Sequence, residues 1–261
     1  MNKEEILRQL KIYDAEQLPK LKRIIDILNQ VMKSYEVVST DFLSPDIQGY
    51  INAICFHYPD LKCTLEGGYD GAEYKKMIVY PDYLESVESD LAILDITYHE
   101  KYGDISHRDV LGAVLGLGLK REVIGDILLE NGHVQVMTSS HVATFLQSHL
   151  TKVGRVTVST DIVDKEHLIE KLESVQWLHT TVKSLRLDAI ISSGFNLSRS
   201  KAVDLIKAER VKLNHNISIQ TSKELSEGDL ISVKGKGRIK IDSINGMTKK
   251  ERYKVDIKKY I

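Results

Sequence analysis

The sign of the charge reverses along this chain. Residues 181–261 carry 18 Lys and Arg against 9 Asp and Glu, a balance of +9, whereas residues 1–180 carry 18 against 28, a balance of −10. The formal net charge of −1 therefore conceals a basic C-terminal module on an acidic body. At 261 residues, 42% hydrophobic and 28% charged, the chain is long enough for two or three domains with real cores. A module with that surplus, built from a short helix, a basic turn and alternating strands, suits a polyanion, and nucleic acid is the first partner to consider.

The longest apolar runs, such as residues 111–119, are interrupted by glycine and too short to span a bilayer, and the first ten residues, MNKEEILRQL, lack the apolar core of a signal peptide. The expectation is a cytoplasmic protein without membrane insertion. Cys55 and Cys63 are the only cysteines, and their spacing is neither a disulfide framework nor a zinc CxxC, so buried reduced thiols are expected. His133, His141 and His149 recur every eight residues, but the first falls in a predicted hairpin and the others near opposite ends of a predicted helix. No metal site and no cofactor are expected.

The predicted architecture is α+β. Residues 1–83 read as an N-terminal α/β unit. Ile6, Leu10, Leu18, Leu21, Ile24, Ile25, Leu28 and Val31 give residues 3–34 a helical stripe in which Pro19 can start a second helix. Residues 41–45 break it, a helix follows over 47–56, and strands over 62–67 and 75–79 flank a Gly-Gly-Tyr-Asp-Gly turn.

Residues 84–163 have a more legible order. A strand over 91–98, a helix over 107–117, a hairpin over 126–137 around Asn131-Gly132, a helix over 139–150 and a strand over 155–162 make βαββαβ. That is the ferredoxin-like frame, shared with RNA-recognition motifs. The third strand, over 133–137, lacks the aromatic and basic residues on which such motifs stack bases, so a structural or protein-contact role is as good an expectation. Gly112, Gly116 and Gly118 before Lys120-Arg121 match neither GxGxxG nor GxxxxGK[ST]. They read as helix packing and a C-cap, with Lys120 and Arg121 as secondary RNA contacts. Residues 164–180 read as a polar, mostly helical connector anchored by Trp177.

In residues 181–261, a short helix over 185–193 ends at Gly194, a plausible left-handed cap. Ser198 starts a second helix with Ala202, Val203, Leu205 and Ile206 as its core face. Arg199 and Lys201 then place two cations where the helix dipole favours anions, an arrangement that suits a bound phosphate. Over 210–214 the alternation turns Val211 and Leu213 inward and Arg210, Lys212 and Asn214 outward, with a turn at His215-Asn216. Ile231 and Val233 point inward and Lys234 outward, and Gly235 and Gly237 space Lys236 and Arg238 so that backbone amides and cations can meet a phosphate together. The alternation over 249–261 reads as an added strand with one basic face, or as an edge strand guarded by lysines.

The ordered motifs RLD, SRSKA, VKLN, GD and KGKGR over residues 184–240 resemble an S4 RNA-binding domain of the αL type. The chain departs from that pattern at Glu209 and His215, where glycine is usual. With the N-terminal unit and the ferredoxin-like domain containing GLGLKREVIGDI, the whole chain resembles the bacterial YlmH family.

The resemblance implies a non-catalytic protein that binds ribosomal RNA of the large subunit, with peptidyl-tRNA, in ribosome-associated quality control. It implies an RNA surface of Arg186 from the RLD start, Ser198, Arg199, Ser200 and Lys201 from the helix start, Arg210, Lys212 and Asn214 from the strand, and Lys234, Lys236 and Arg238 from the loop. Asp188 orients Arg186 or the following turn and would itself repel a phosphate. Two alternatives stand beside this reading. An RNA-modifying enzyme that docks through its S4 domain would need catalytic machinery, and the chain has no HIGH or KMSKS signature, no loop suited to S-adenosylmethionine and only the isolated Asp95 and Asp104. A division-associated scaffold would use the acidic domains to meet a protein partner.

Overall fold

A computed structural model describes residues 3–10, 17–130, 132–169 and 175–260. The chain forms two compact units, Met1–Lys171 and Leu172–Ile261.

The first unit begins with α1 (Lys3–Gln9) and α2 (Gln17–Ser34); residues 11–16 of the predicted stripe lie outside the described residues. Leu21, Ile24, Ile25, Leu28 and Val31 recur at helical spacing and are fully buried or nearly so. They pack with α3 (Pro45–Gln48) and α4 (Ile51–Cys55) on a sheet of β1 (Val38–Leu43), β2 (Leu61–Glu66) and β3 (Lys75–Pro81), in the antiparallel order β1-β3-β2. The helix expected over 47–56 is thus two short ones divided at Gly49-Tyr50. The sequence pattern did not show β1, because one of its buried members is Thr40. The Thr40 hydroxyl accepts from the Met77 amide at 2.9 Å, so a polar residue takes a core position at little cost. The expectation of reduced cysteines is corrected: α4 ends where β2 returns, which brings Cys55 and Cys63 to a Cα separation of 6.8 Å as a disulfide.

The ferredoxin-like frame follows, with β4 (Leu91–Thr97), α5 (His107–Gly116), β5 (Ile124–Glu130), β6 (His133–Ser139) and α6 (Ser140–His149). A small ribbon of β7 (Lys152–Val153) and β8 (Val156–Thr157) precedes β9 (Ser159–Val163). The strands lie antiparallel in the order β5-β6-β4-β9, as that frame requires. The hairpin falls where expected; Asn131 itself is outside the described residues. Ser106 and Asp109 close a capping box at the start of α5, and Gly118, at φ 84°, lies just past the helix. A Cβ on Gly112 or Gly116 would meet nothing within 4 Å, so helix packing does not explain those glycines.

One face of this sheet carries Val110, Val114, Val142 and Leu146 of the helices on Leu94, Ile96, Val134 and Val136. The other face, through which RNA-recognition motifs stack bases, is also covered. Phe42 of β1 and Ile169 pack on Ile93, Leu128 and Met137, with Tyr69, Tyr74, Val163 and Leu168 around them. Gln135, 2% exposed, donates to the His167 carbonyl at 2.7 Å and accepts from the Ile169 amide at 2.8 Å, which ties down the chain that crosses the sheet.

The Gly-Asp pair of the GLGLKREVIGDI segment builds this cover. A Cβ at Gly125 would lie 2.5 Å from the Phe42 ring. Asp126 accepts from the amides of Glu73 and Tyr74, both at 2.9 Å, and from the Tyr69 hydroxyl. Arg121 stacks its guanidinium 4.3 Å from the Tyr74 ring and donates to the carbonyls of Ile124 and Gly125.

The second unit has β10 (Val175–Val182), α7 (Leu187–Gly194), α8 (Arg199–Lys207), β11 (Val211–Leu213), β12 (Asn216–Ile217), β13 (Leu230–Val233), β14 (Gly237–Met247) and β15 (Tyr253–Tyr260). Its antiparallel sheet runs β10-β15-β14-β13-β11-β12. Leu187, Ile190, Ile191, Ala202 and Ile206 of the helices meet Val211, Ile231, Ile239, Ile241, Val255 and Ile257 on one face, all of them fully buried.

Three expectations are corrected here. The helical connector over 164–180 is, among the described residues, a single 3-10 turn (Lys165–His167) and strand β10, and Trp177 on that strand is 47% exposed rather than an anchor. The C-terminal strand β15 is interior, paired with β10 on one side and β14 on the other, so its lysines do not guard an edge. Gly194 is not a left-handed cap; Asn196 takes that conformation at φ 51°. A Cβ at 194 would instead lie 2.5 Å from Cδ1 of Ile239, so this glycine is needed for close approach of α7 to the sheet.

Candidate nucleic-acid interface

The Ser198-capped start of α8 is one half of the candidate surface. The Ser198 hydroxyl accepts from the Lys201 amide at 3.2 Å, satisfying one donor that the helix leaves open. Arg199 and Ser200 follow in the exposed first turn with Lys201. Beside it, Asp188 of α7 is buried, with 4% of its side chain exposed, and receives two guanidinium forks. Arg186 donates through Nε and Nη2 at 3.2 and 3.1 Å, and Arg199 does so at the same distances.

Burial pushes the Asp188 carboxyl up, but the hydrogen bonds from Arg199 and Arg186 and their charges outweigh it and hold the carboxyl below its ordinary range. One carboxylate is thus shared by two arginines, leaving a net positive pair whose side chains are 41% and 50% exposed. The forks fix two otherwise flexible side chains before any ligand arrives, which lowers the ordering cost of binding. The sequence pattern assigns Asp188 to Arg186 or the adjoining turn; its hold on Arg199, eleven residues on, comes from the packing of α7 against α8.

The other half lies past the far end of α8, a nine-residue helix, so about 14 Å of helix separates the two. There Arg210, Lys212, Lys234 and Arg238 line a cleft of about 460 Å³ with Gly235 and Gly237. Both glycines take positive φ, 80° and 102°, as the turn between β13 and β14 requires.

The amides of Lys234 and Lys236 are both engaged, bonding to the carbonyls of Arg210, at the entry to β11, and of Val233 at 2.9 Å each. Cationic side chains, rather than those amides, therefore face outward, which corrects part of the expected phosphate cradle. Arg210 also donates to the Lys234 carbonyl at 3.3 Å, and Arg238 lies 5.6 Å from the ring centre of Tyr260.

Asn214 is exposed but engaged. Its Nδ2 donates to Asp229 at 2.8 Å and its Oδ1 accepts from the Leu230 amide at 2.9 Å, so it ties the VKLN strand to the GD turn. Asn214 and His215 have φ of 48° and 70°, which places the turn one residue earlier than expected. Glu209, at φ 56°, is likewise left-handed. The two positions where this chain lacks the usual glycine are thus positions that favour glycine, and the turns form at the cost of local strain.

Elsewhere, Lys120 and Arg121 line a cavity of about 590 Å³ in the first unit with Lys20 and Arg23 over Ile24, Ile27 and Phe42. Asp95 is spent on Gln135 and His133, at 3.2 and 3.4 Å, and Asp104 lies in an exposed loop. Among the described residues no group of three His, Cys, Asp or Glu is placed to hold a metal ion, and no helix is long and apolar enough to cross a membrane.

Three stretches of the chain match known family profiles. Residues 16–84 match the family profile "YlmH, N-terminal", residues 85–167 the profile "Putative RNA-binding domain in YlmH", and residues 185–231 the profile "S4 domain". A ribosome-associated protein quality control protein P2 of Bacillus subtilis is 37% identical over 227 residues, covering 86% of this chain and 88% of that protein. A solved structure, the cell division protein ylmH from Streptococcus pneumoniae, is 27% identical at a TM-score of 0.53 and covers 61% of this chain and 98% of that one. With S4 geometry at one end and matches to YlmH profiles ahead of it, the chain belongs to the YlmH family.

Proposed function

We propose that this protein is a non-catalytic factor of ribosome-associated quality control that grips ribosomal RNA of the large subunit, beside peptidyl-tRNA, through its second unit. The observation that carries the reading is the pair of guanidiniums fixed on buried Asp188 beside the Ser198-capped helix start. Such a surface recognises phosphates by charge and shape, as folded RNA requires. The relative from Bacillus subtilis, similar over most of both chains, supports the cellular setting. The acidic body, at −10 over residues 1–180, suits a protein contact better than RNA.

The reading is tested by sedimentation with large subunits across a salt series. Replacing Arg199 and Lys201 by Ala should weaken binding and lower the slope of log K against log salt by about one unit for each phosphate no longer neutralised. Unchanged affinity and slope in that double variant would remove the proposed surface.

A further inference from the structure

We propose that the open face of the six-stranded sheet is a stacking platform for unpaired RNA bases, an inference that rests on the RNA-binding reading above. The helices cover the face that holds Ile231, Ile239, Ile241, Val255 and Ile257. Strand register puts alternate residues on the opposite face. One row across it runs Val175, Tyr260, Arg238, Ser232, Lys212 and Ile217, and the next runs Trp177, Lys258, Lys240 and Leu230.

Each row pairs a ring with a cation. The Lys258 ammonium lies 4.9 Å from the ring centre of Trp177, and the Arg238 guanidinium lies 5.6 Å from that of Tyr260. Asp242 bonds Lys258 at 2.7 Å, which steadies the ammonium beside the ring, and nearly half of Trp177 remains exposed at 47%. In these two rows and Asp242, four cations face one carboxylate; Asp256, farther along, is held by His179 at 2.7 Å. Rings flanked by cations are what sequence-tolerant binding of a single strand uses, the rings for base faces and the cations for the backbone.

Continuity and composition both favour RNA over a protein partner. Lys212 and Arg238 line the cleft of the candidate interface and also stand on this face, so one strand of RNA can pass from one to the other. The centre of a protein interface is depleted of lysine, whereas here Lys258 and Lys240 stand in the middle of their row.

Trp177 is the only tryptophan, so its fluorescence reports on this face alone. In the full-length protein, a single-stranded oligouridylate should quench it saturably, and a blunt RNA duplex of equal charge should not. Binding of labelled oligouridylate, followed by anisotropy, should weaken about tenfold in Trp177→Leu and recover in Trp177→Phe, with circular dichroism showing both variants folded. Absence of oligouridylate binding, binding without a change in Trp177 emission, or wild-type affinity in a folded Trp177→Leu would each overturn the platform. The two readings fail separately: an Arg199 and Lys201 double variant should lose large subunits yet keep the quenching. Large-subunit binding that depends on Arg199 and Lys201, with no response at Trp177, would remove the platform and leave the proposed function.

Discussion

The four-stranded sheet of the first unit and the six-stranded sheet of the second both carry helices on one face, and they differ in what lies on the other. In the first, Phe42, Tyr69, Tyr74 and Ile169 close the face on which an RNA-recognition motif would stack bases. In the second, the corresponding face bears Trp177, Lys258, Lys240 and Arg238. A fold that resembles a known RNA binder is therefore no guide to where RNA sits; the neighbouring chain decides which surface is left for a ligand.

The largest expected effect tests whether the cover of the first sheet is energetically real. Phe42→Ala should cost the first unit about 3–4 kcal/mol in denaturant unfolding, because it removes a buried ring from both β1 and the sheet beneath it. A loss below about 1 kcal/mol would mean that the face is only loosely covered. Gly125→Ala should cost about 2 kcal/mol, since the added methyl would meet the Phe42 ring. In the Phe42→Ala background the same change should cost much less, the contact left being Met137 Cβ at 3.0 Å, and a double-mutant cycle measures that coupling.

In the second unit, Asp188→Asn should cost about 2 kcal/mol by leaving two arginines without their shared charge. Its pH dependence has a definite sign. The folded-state carboxyl lies below the ordinary value of 3.8, so its contribution is complete above that value and is lost as pH falls through the lower folded value. The wild-type second unit should accordingly lose stability in acid over that window, and Asp188→Asn should flatten this component in pH-dependent unfolding. The smallest effect is a gain: Glu209→Gly and His215→Gly should each stabilise the unit by roughly 0.5 kcal/mol, read as a rise in Tm, by relieving left-handed backbone.

The elements that could be read locally were those whose signals lie within a few residues. Alternation around Gly132, the capping residue Ser198 and the helical stripe of α2 each report a neighbourhood of one or two turns. Strand β1 escaped because Thr40 satisfies its hydroxyl on Met77, a partner 37 residues away. Strand β10 was mistaken for a helical connector because what makes it a strand is eight paired positions on β15, from Val175 with Tyr260 to Val182 with Tyr253. Among the proposed site residues, the sequence marked the cations but not which of their groups remain available. Asn214 is engaged by the GD turn, the amide of Lys234 by the Arg210 carbonyl and that of Lys236 within its own turn, while Arg199 is fixed from another helix.

By itself, then, the sequence determined the charge division, the βαββαβ order and the S4 motifs, because charge, periodicity and turn chemistry are properties of short stretches of chain. Only the tertiary structure decided that one sheet face is closed and the other open, that β15 is interior, and that Asp188 fixes Arg186 and Arg199 together. Those outcomes depend on which distant segment covers a face or completes a hydrogen bond, and local patterning carries no record of that partner.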